Sequence, residues 1–212
     1  MELVLQQCSI VQTETLFRDD FDNNLKNWEV AKDNSEESYL SGGHYWMKNT
    51  SEDIWMYYKM KMPLQKKGDF IIDTEIEILS KDEYGHAGLV WGFDKNMNIL
   101  NRFSISADQE RFLVMQFDKN HRKMHHRFHS WDLTKTETNI IRLSIAKLGD
   151  YFHFFRQNKL VYTCNAAHFA DEGPYFGYYV EPGISIRSSY MEVKKLVTKP
   201  MDSGDVISKL LT

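Results

Sequence analysis

The stretch GDFIIDTEIEIL (residues 68–79), followed by HAGLVWGF (86–93) and NILNRFSIS (98–106), decides the fold. In the first segment Phe70, Ile72, Thr74, Ile76 and Ile78 fall on one face, and Asp73, Glu75 and Glu77 on the other. Side chains alternate across a pleated strand, so strict alternation over this length predicts a strand with one face in the core. The second segment is apolar and glycine-marked, and the third follows after another turn. The three read as consecutive strands.

The same texture continues outward in both directions. IWMYYKMKM (54–62) alternates and stops at Pro63, since proline cannot donate to a ladder. ERFLVMQF (110–117) is a strand, and 121–130 returns from it. YFHFFR (151–156) and KLVYT (159–163) are joined by the turn Gln157-Asn158, and Tyr175–Val180 and Ile184–Leu196 are the last strands. Residues 165–171 are expected to form a single helical turn. No long helix, fixed-period repeat or linker interrupts the pattern, which predicts one β-sandwich or barrel. The expected boundaries are a leader over 1–15, a sandwich over 16–197 and a tail over 198–212.

Composition narrows the function classes. The 212 residues carry 26 basic and 30 acidic side chains, a formal net charge of -4. That balance gives no case for nucleic-acid binding, which shows as a basic excess. No run approaches the roughly 18 apolar residues of a membrane-spanning helix. The first residues lack the basic and apolar regions of a signal peptide, so a cytoplasmic location is expected, or an extracytoplasmic one if the start is truncated. Cys8 and Cys164 are too far apart in sequence to form a disulfide framework or a zinc pattern, and Cys164, in YTCNAAHF, is expected to be a buried free thiol.

FRDDFDNNLKNWEV (17–30), the central stretch, TNIIRLSIAKLGDYFHFFRQNKLVYT (138–163) and GPYFGYYVEPGISIRSSYMEVKKL (173–196) together resemble the concanavalin A-like lectin/glucanase superfamily, in particular laminin-G-like bacterial jelly-roll domains. The resemblance covers roughly residues 16–197 and lies in strand order and texture. It implies an all-β fold, a single antiparallel β-sandwich of jelly-roll type, with a concave sheet face where sugars bind. Fold analogy does not assign a function.

Three groups of residues bear on function. The first is Asp73, Glu75 and Glu77. A retaining glycosidase needs two carboxylates about 5 Å apart, and residues two apart on a strand can supply that spacing. Laminarinase-type members of the superfamily use the order Glu-x-Asp-x-Glu, whereas this chain has Asp-x-Glu-x-Glu. The plainer reading is a solvated strand face. The second group is the alternation Lys119, His121, Lys123, His125, Arg127 and His129. As one uninterrupted strand face it would be a basic stripe for an anionic ligand or an acidic partner, with a charge that rises as the histidines protonate; otherwise it is an ordinary polar surface strand. The third group is aromatic: Trp46, Trp55, Tyr57, Trp91, Trp131, Tyr175, Tyr178 and Tyr179. Trp55 and Tyr57 are the rings expected to be exposed as a stacking platform for sugars.

No phosphate loop, nucleophile elbow or metal-ligand spacing singles out a residue, and no cofactor or metal is expected. The sequence therefore points to a non-catalytic module that binds a partner protein or a glycan, possibly as one subunit of a larger assembly. Its expected ligand residues are Trp55, Tyr57, Asp73, Glu75, Glu77, His125, Arg127 and His129. The alternative is a glycoside hydrolase or lyase working through Glu75 and Glu77.

Overall fold

A computed structural model describes residues 8–52, 56–61, 68–80, 85–93, 96, 99–118, 123–130, 137–169 and 173–200. Within strands, the side chains of 8–12, 56–60, 123–127 and 198–200 lie outside the description. The described strands are β1 (Cys8–Asp19), β2 (Ala31–Lys32), β3 (Glu36–Ser41), β4 (His44–Asn49), β5 (Met56–Lys61), β6 (Phe70–Ile78), β7 (His86–Phe93), β8 (Ile99–Ser106), β9 (Phe112–Asp118), β10 (Lys123–Ser130), β11 (Ile140–Leu148), β12 (Tyr151–Arg156), β13 (Lys159–Asn165), β14 (Tyr175–Val180) and β15 (Ser185–Pro200). The expected helical turn is a single 3-10 turn, Ala166–His168, capped by the Asn165 side chain.

The strands form two antiparallel sheets. The nine-stranded sheet runs β13-β12-β11-β6-β15-β4-β3-β2, with β1 added beside β15. β15 pairs with β6 along one edge, while β4 and β1 share its other edge. The six-stranded sheet runs β10-β9-β8-β7-β14-β5. This is the jelly-roll sandwich that the alternation and the strand order imply.

Two boundaries differ from expectation. The leader was expected to extend to residue 15, yet β1 begins at Cys8 and pairs with β15 as far as Pro200. Register shifts between Ile10 and Gln12, and between Thr15 and Phe17, break the two-residue repeat, so alternation cannot reveal this strand. Residues 1–7 and 201–212 lie outside the described residues.

The core forms where the inward faces meet. Ile72, Ile76 and Ile78 of β6 pack with Leu89, Trp91, Phe103 and Phe176 of the other sheet, all within the main buried cluster. A polar link centred on Tyr178 crosses it. The hydroxyl of Tyr178, on β14, reaches Thr74 Oγ1 (2.9 Å) on β6 and donates to Ser188 Oγ (2.7 Å) on β15. Thr74 Oγ1 donates to the Tyr190 carbonyl (2.6 Å), and Ser188 Oγ donates to the Glu75 carbonyl (2.8 Å). A buried hydroxyl without partners costs free energy; here each is satisfied, so the sheets are held in one alignment. Burial pushes the Tyr178 phenol well above its ordinary pKa. Cys164 is a buried free cysteine whose thiol burial pushes up to about 12, which leaves it inert at neutral pH.

Gly88 is fixed by close approach. A Cβ there would run into the Phe103 carbonyl oxygen and stand 2.6 Å from Ser104 Cα, both backbone atoms of β8. Gly88→Ala must push β7 and β8 apart, and should lower unfolding stability by about 1–3 kcal/mol, measured by urea titration.

Candidate functional site

The three acidic residues of β6 stand on the outward face of the nine-stranded sheet, as the alternation requires. They are not simply solvated. Asp73 is only 4% exposed. It accepts from Arg142 Nε (2.9 Å) and Nη2 (2.6 Å), from Ser144 Oγ (2.6 Å) and from the Tyr190 hydroxyl (2.9 Å). Hydrogen bonding to Asp73, stronger here than the opposing burial, raises the Arg142 guanidinium above its ordinary value. Burial and the Asp73 charge also raise the Tyr190 phenol. Glu75 accepts from Ser189 Oγ (3.0 Å), and Glu77 holds Arg187 through Nε (2.6 Å) and Nη2 (2.5 Å). These partners come from β11 and β15, which flank β6 on either side. The acidic strand is thus the middle of a cross-strand ion-pair lattice.

The basic alternation spans a change of register in β10. A register shift between Met124 and His126 places Lys123 opposite Asp118, but Arg127 opposite Met115 and His129 opposite Leu113. The extra residue of a bulge reverses strand parity, so Lys123 and Arg127 do not share a register face. Residues 119–122 lie outside the described residues, as do the side chains of His125 and Arg127, while His129 is half-buried. Trp55 also lies outside them. Tyr57 is described by its backbone, which pairs with Tyr179.

The register of the six-stranded sheet brings several of these positions into two transverse rows. One row runs His129, Leu113, Ser104, Gly88, Tyr179, Tyr57; the next runs Arg127, Met115, Arg102, Val90, Gly177, Lys59. This is the sheet's outward face, since Phe103, Ile105 and Leu89 on the opposite parity belong to the main core. Yet the outward face is also buried. Val90, Phe93, Leu100 and Tyr179 form a second buried apolar cluster there, and Ser104 is 0% exposed. One outward sheet face is therefore buried, and the other is open.

A polar cluster sits on this buried face, and of its residues the sequence reading named only Tyr179. Arg102 leaves β8 and crosses β7 to reach β14. Its guanidinium carbon lies 4.0 Å from the Tyr179 ring centroid, and Nη1 lies 3.4 Å from Glu181 Oε1. The strand it crosses has no side chain at Gly88. Glu181 accepts from the Tyr179 hydroxyl (2.6 Å) and from the His86 backbone N–H (2.7 Å), with His86 Nδ1 at 3.2 Å. Burial alone would push this carboxyl up; the hydrogen bonds from His86 and Tyr179 and the charge of Arg102 outweigh it and hold the group at about 2. Two atoms beside this cluster, Ser104 Oγ and His86 Nε2, are buried with no hydrogen-bond partner among the described residues. The side chains of Glu181 and His86 are 20% and 13% exposed and form the cluster's solvent edge.

No family model and no curated protein matches the chain. Solved structures do. An endo-beta-1,3-glucanase from Pyrococcus furiosus superposes with a TM-score of 0.64 at 9% identity, covering 89% of this chain and 96% of its own. A protein of unknown function with a galectin-like fold from Bacillus subtilis gives 0.61 at 10% identity, covering 86% and 96%. The CBM2 module of the evolved Dit of Lactobacillus casei BL23 phage J-1 gives 0.58 at 10% identity, covering 87% and 96%. Identities this low speak for the fold alone, an antiparallel sandwich of jelly-roll type.

The depressed pKa of Glu181 has a pH signature. Its stabilising contribution is present above the ordinary glutamate value of about 4.5 and is lost as pH falls towards 2. Glu181→Gln should be less stable than the wild type at pH 7. The gap should close between about pH 4.5 and pH 2, measured by denaturant unfolding at a series of pH values.

Proposed function

We propose that this protein is a non-catalytic glycan-binding module whose recognition face is the outward face of the six-stranded sheet. The observation that carries the reading is the pair of buried, unpartnered polar atoms, Ser104 Oγ and His86 Nε2, beside the Arg102–Glu181 pair. An unsatisfied buried polar atom costs about 1–3 kcal/mol, and a native structure keeps such atoms where something else completes them. A hydroxyl-rich ligand supplies both donors and acceptors. Tyr175, the half-buried ring packed against this cluster, adds a surface on which a sugar stacks, with a few polar groups to set orientation.

Hydrolysis is the weaker reading. Glu75 and Glu77, two apart on one strand, are spaced by about 6.8 Å, but each is already bonded to Ser189 or Arg187 on the open sheet. At the end of β14 Glu181 is held ionised, so it is unsuited to donate a proton as a general acid. The resemblance to laminin-G-like domains fits a binding role, and a protein ligand on the same face is the remaining alternative.

The test is isothermal calorimetry with β-1,3- and mixed-linked β-1,3-1,4-gluco-oligosaccharides, after a glycan array to widen the choice. Binding is expected in the wild type and at least tenfold weaker in Ser104→Val, with no reducing ends released. Turnover that disappears in Glu75→Gln would establish the hydrolase instead, and failure to bind any glycan would remove the carbohydrate reading.

A further inference from the structure

The open face of the nine-stranded sheet carries a transverse row that none of the preceding roles uses. In register order it is Tyr39 on β3, Trp46 on β4, Arg187 on β15, Glu77 on β6 and Ile140 on β11. Tyr39 and Trp46 lie parallel within 8°, 5.9 Å apart, and the Arg187 guanidinium stands 5.0 Å from the Trp46 ring. Tyr39 and Ile140 are 39% and 40% exposed, and Leu79, one row further along β6, is 38% exposed. Three of the large apolar side chains that reach solvent therefore gather on one sheet face.

The order along the row has a symmetry. Aromatic rings stand at one end, an aliphatic side chain at the other, and a cation and an anion side by side in the middle. A twofold axis between β15 and β6, parallel to the strands, reverses the row. It lays Trp46 against Ile140 of a second copy and Arg187 against Glu77 of that copy. Such an isologous contact needs one self-complementary patch, and this row supplies apolar-to-apolar and cation-to-anion matches at once.

We infer that this face is the interface of a back-to-back homodimer, with a second copy of this chain as its occupant. Eight strands at about 4.8 Å spacing and of about 23 Å length present roughly 900 Å², enough for the roughly 800 Å² that a standard stable interface buries on each partner. Arg187 stands at the centre of the patch and Trp46 and Tyr39 towards one end, and Trp, Tyr and Arg are the residue types that dominate interface energy. The arrangement leaves both six-stranded sheets pointing away from the contact, so a dimer would display two binding sites and gain avidity on a polymeric ligand.

The charge pattern allows a test that needs no ligand. Light scattering on the full chain should give the dimer mass at micromolar concentration. Ile140→Glu, a change at an exposed position, should give the monomer. Arg187→Glu and Glu77→Arg should each weaken the dimer at least tenfold, because like charges then face each other across the axis. Mixed together, these two variants should form a heterodimer, since each supplies the charge the other lacks. If a single variant does not fold, as judged by circular dichroism, Ile140→Glu carries the test. A wild type that stays monomeric at hundreds of micromolar overturns the inference. So does a dimer that Ile140→Glu leaves intact.

Discussion

Arg102 can reach Tyr179 and Glu181 only because the strand between them carries no side chain at Gly88. A two-strand crossing over a sheet face is long for one side chain, and anything larger than hydrogen at 88 would also collide with β8. The close approach of β7 and β8, the cation over the Tyr179 ring and the ionised Glu181 are therefore one constraint. It gives the outward face of the six-stranded sheet a fixed positive group in an apolar setting, with Ser104 and His86 left to be completed.

The two outward faces have solved opposite problems. On the nine-stranded sheet, acidic side chains from β6 are neutralised by Arg142 and Arg187 on the neighbouring strands, Asp73 buried among its partners and the Glu77–Arg187 pair nearer solvent, where such a pair adds less to stability. That face stays open, crossed by a row of two rings, an ion pair and Ile140. On the six-stranded sheet most of the described outward side chains between β8 and β14 are small or apolar and buried, with Arg102 and Glu181 forming a charged cluster among them. Between the sheets, the Tyr178 hydroxyl fixes how they sit on each other.

Much of this was legible in the sequence, for a definite reason. Phe70 to Ile78 alternate without interruption, so β6 and its core face could be read directly, and the order of the remaining strands suggested the sandwich. Alternation fails wherever a strand is bulged. β1 has two register shifts, and its residues 8–15 carry no alternation to mark them as a strand; β10 has one shift, between Met124 and His126, which changes the parity of the backbone register along it. Pairing over long separations was invisible for a different reason. Arg142 lies 69 residues from Asp73, and Arg187 lies 110 residues from Glu77, so the acids looked solvated. The Arg102 cluster joins the end of β14 to β7 and β8, and Glu181 falls in the gap between the last two strands, where no periodicity marks it. Its single sequence signal was the run of small residues, Gly88 and Ser104, at outward positions of strands otherwise rich in large apolar side chains.

A crystal structure of the protein with a bound gluco-oligosaccharide tests the central claim most directly. The account requires sugar hydroxyls within hydrogen-bond distance of Ser104 Oγ and His86 Nε2, with a ring lying against that outward face. Sugar ordered instead along Asp73, Glu75 and Glu77, with the Arg142 and Arg187 pairs opened to receive it, would contradict the account and return the chemistry to the acidic strand.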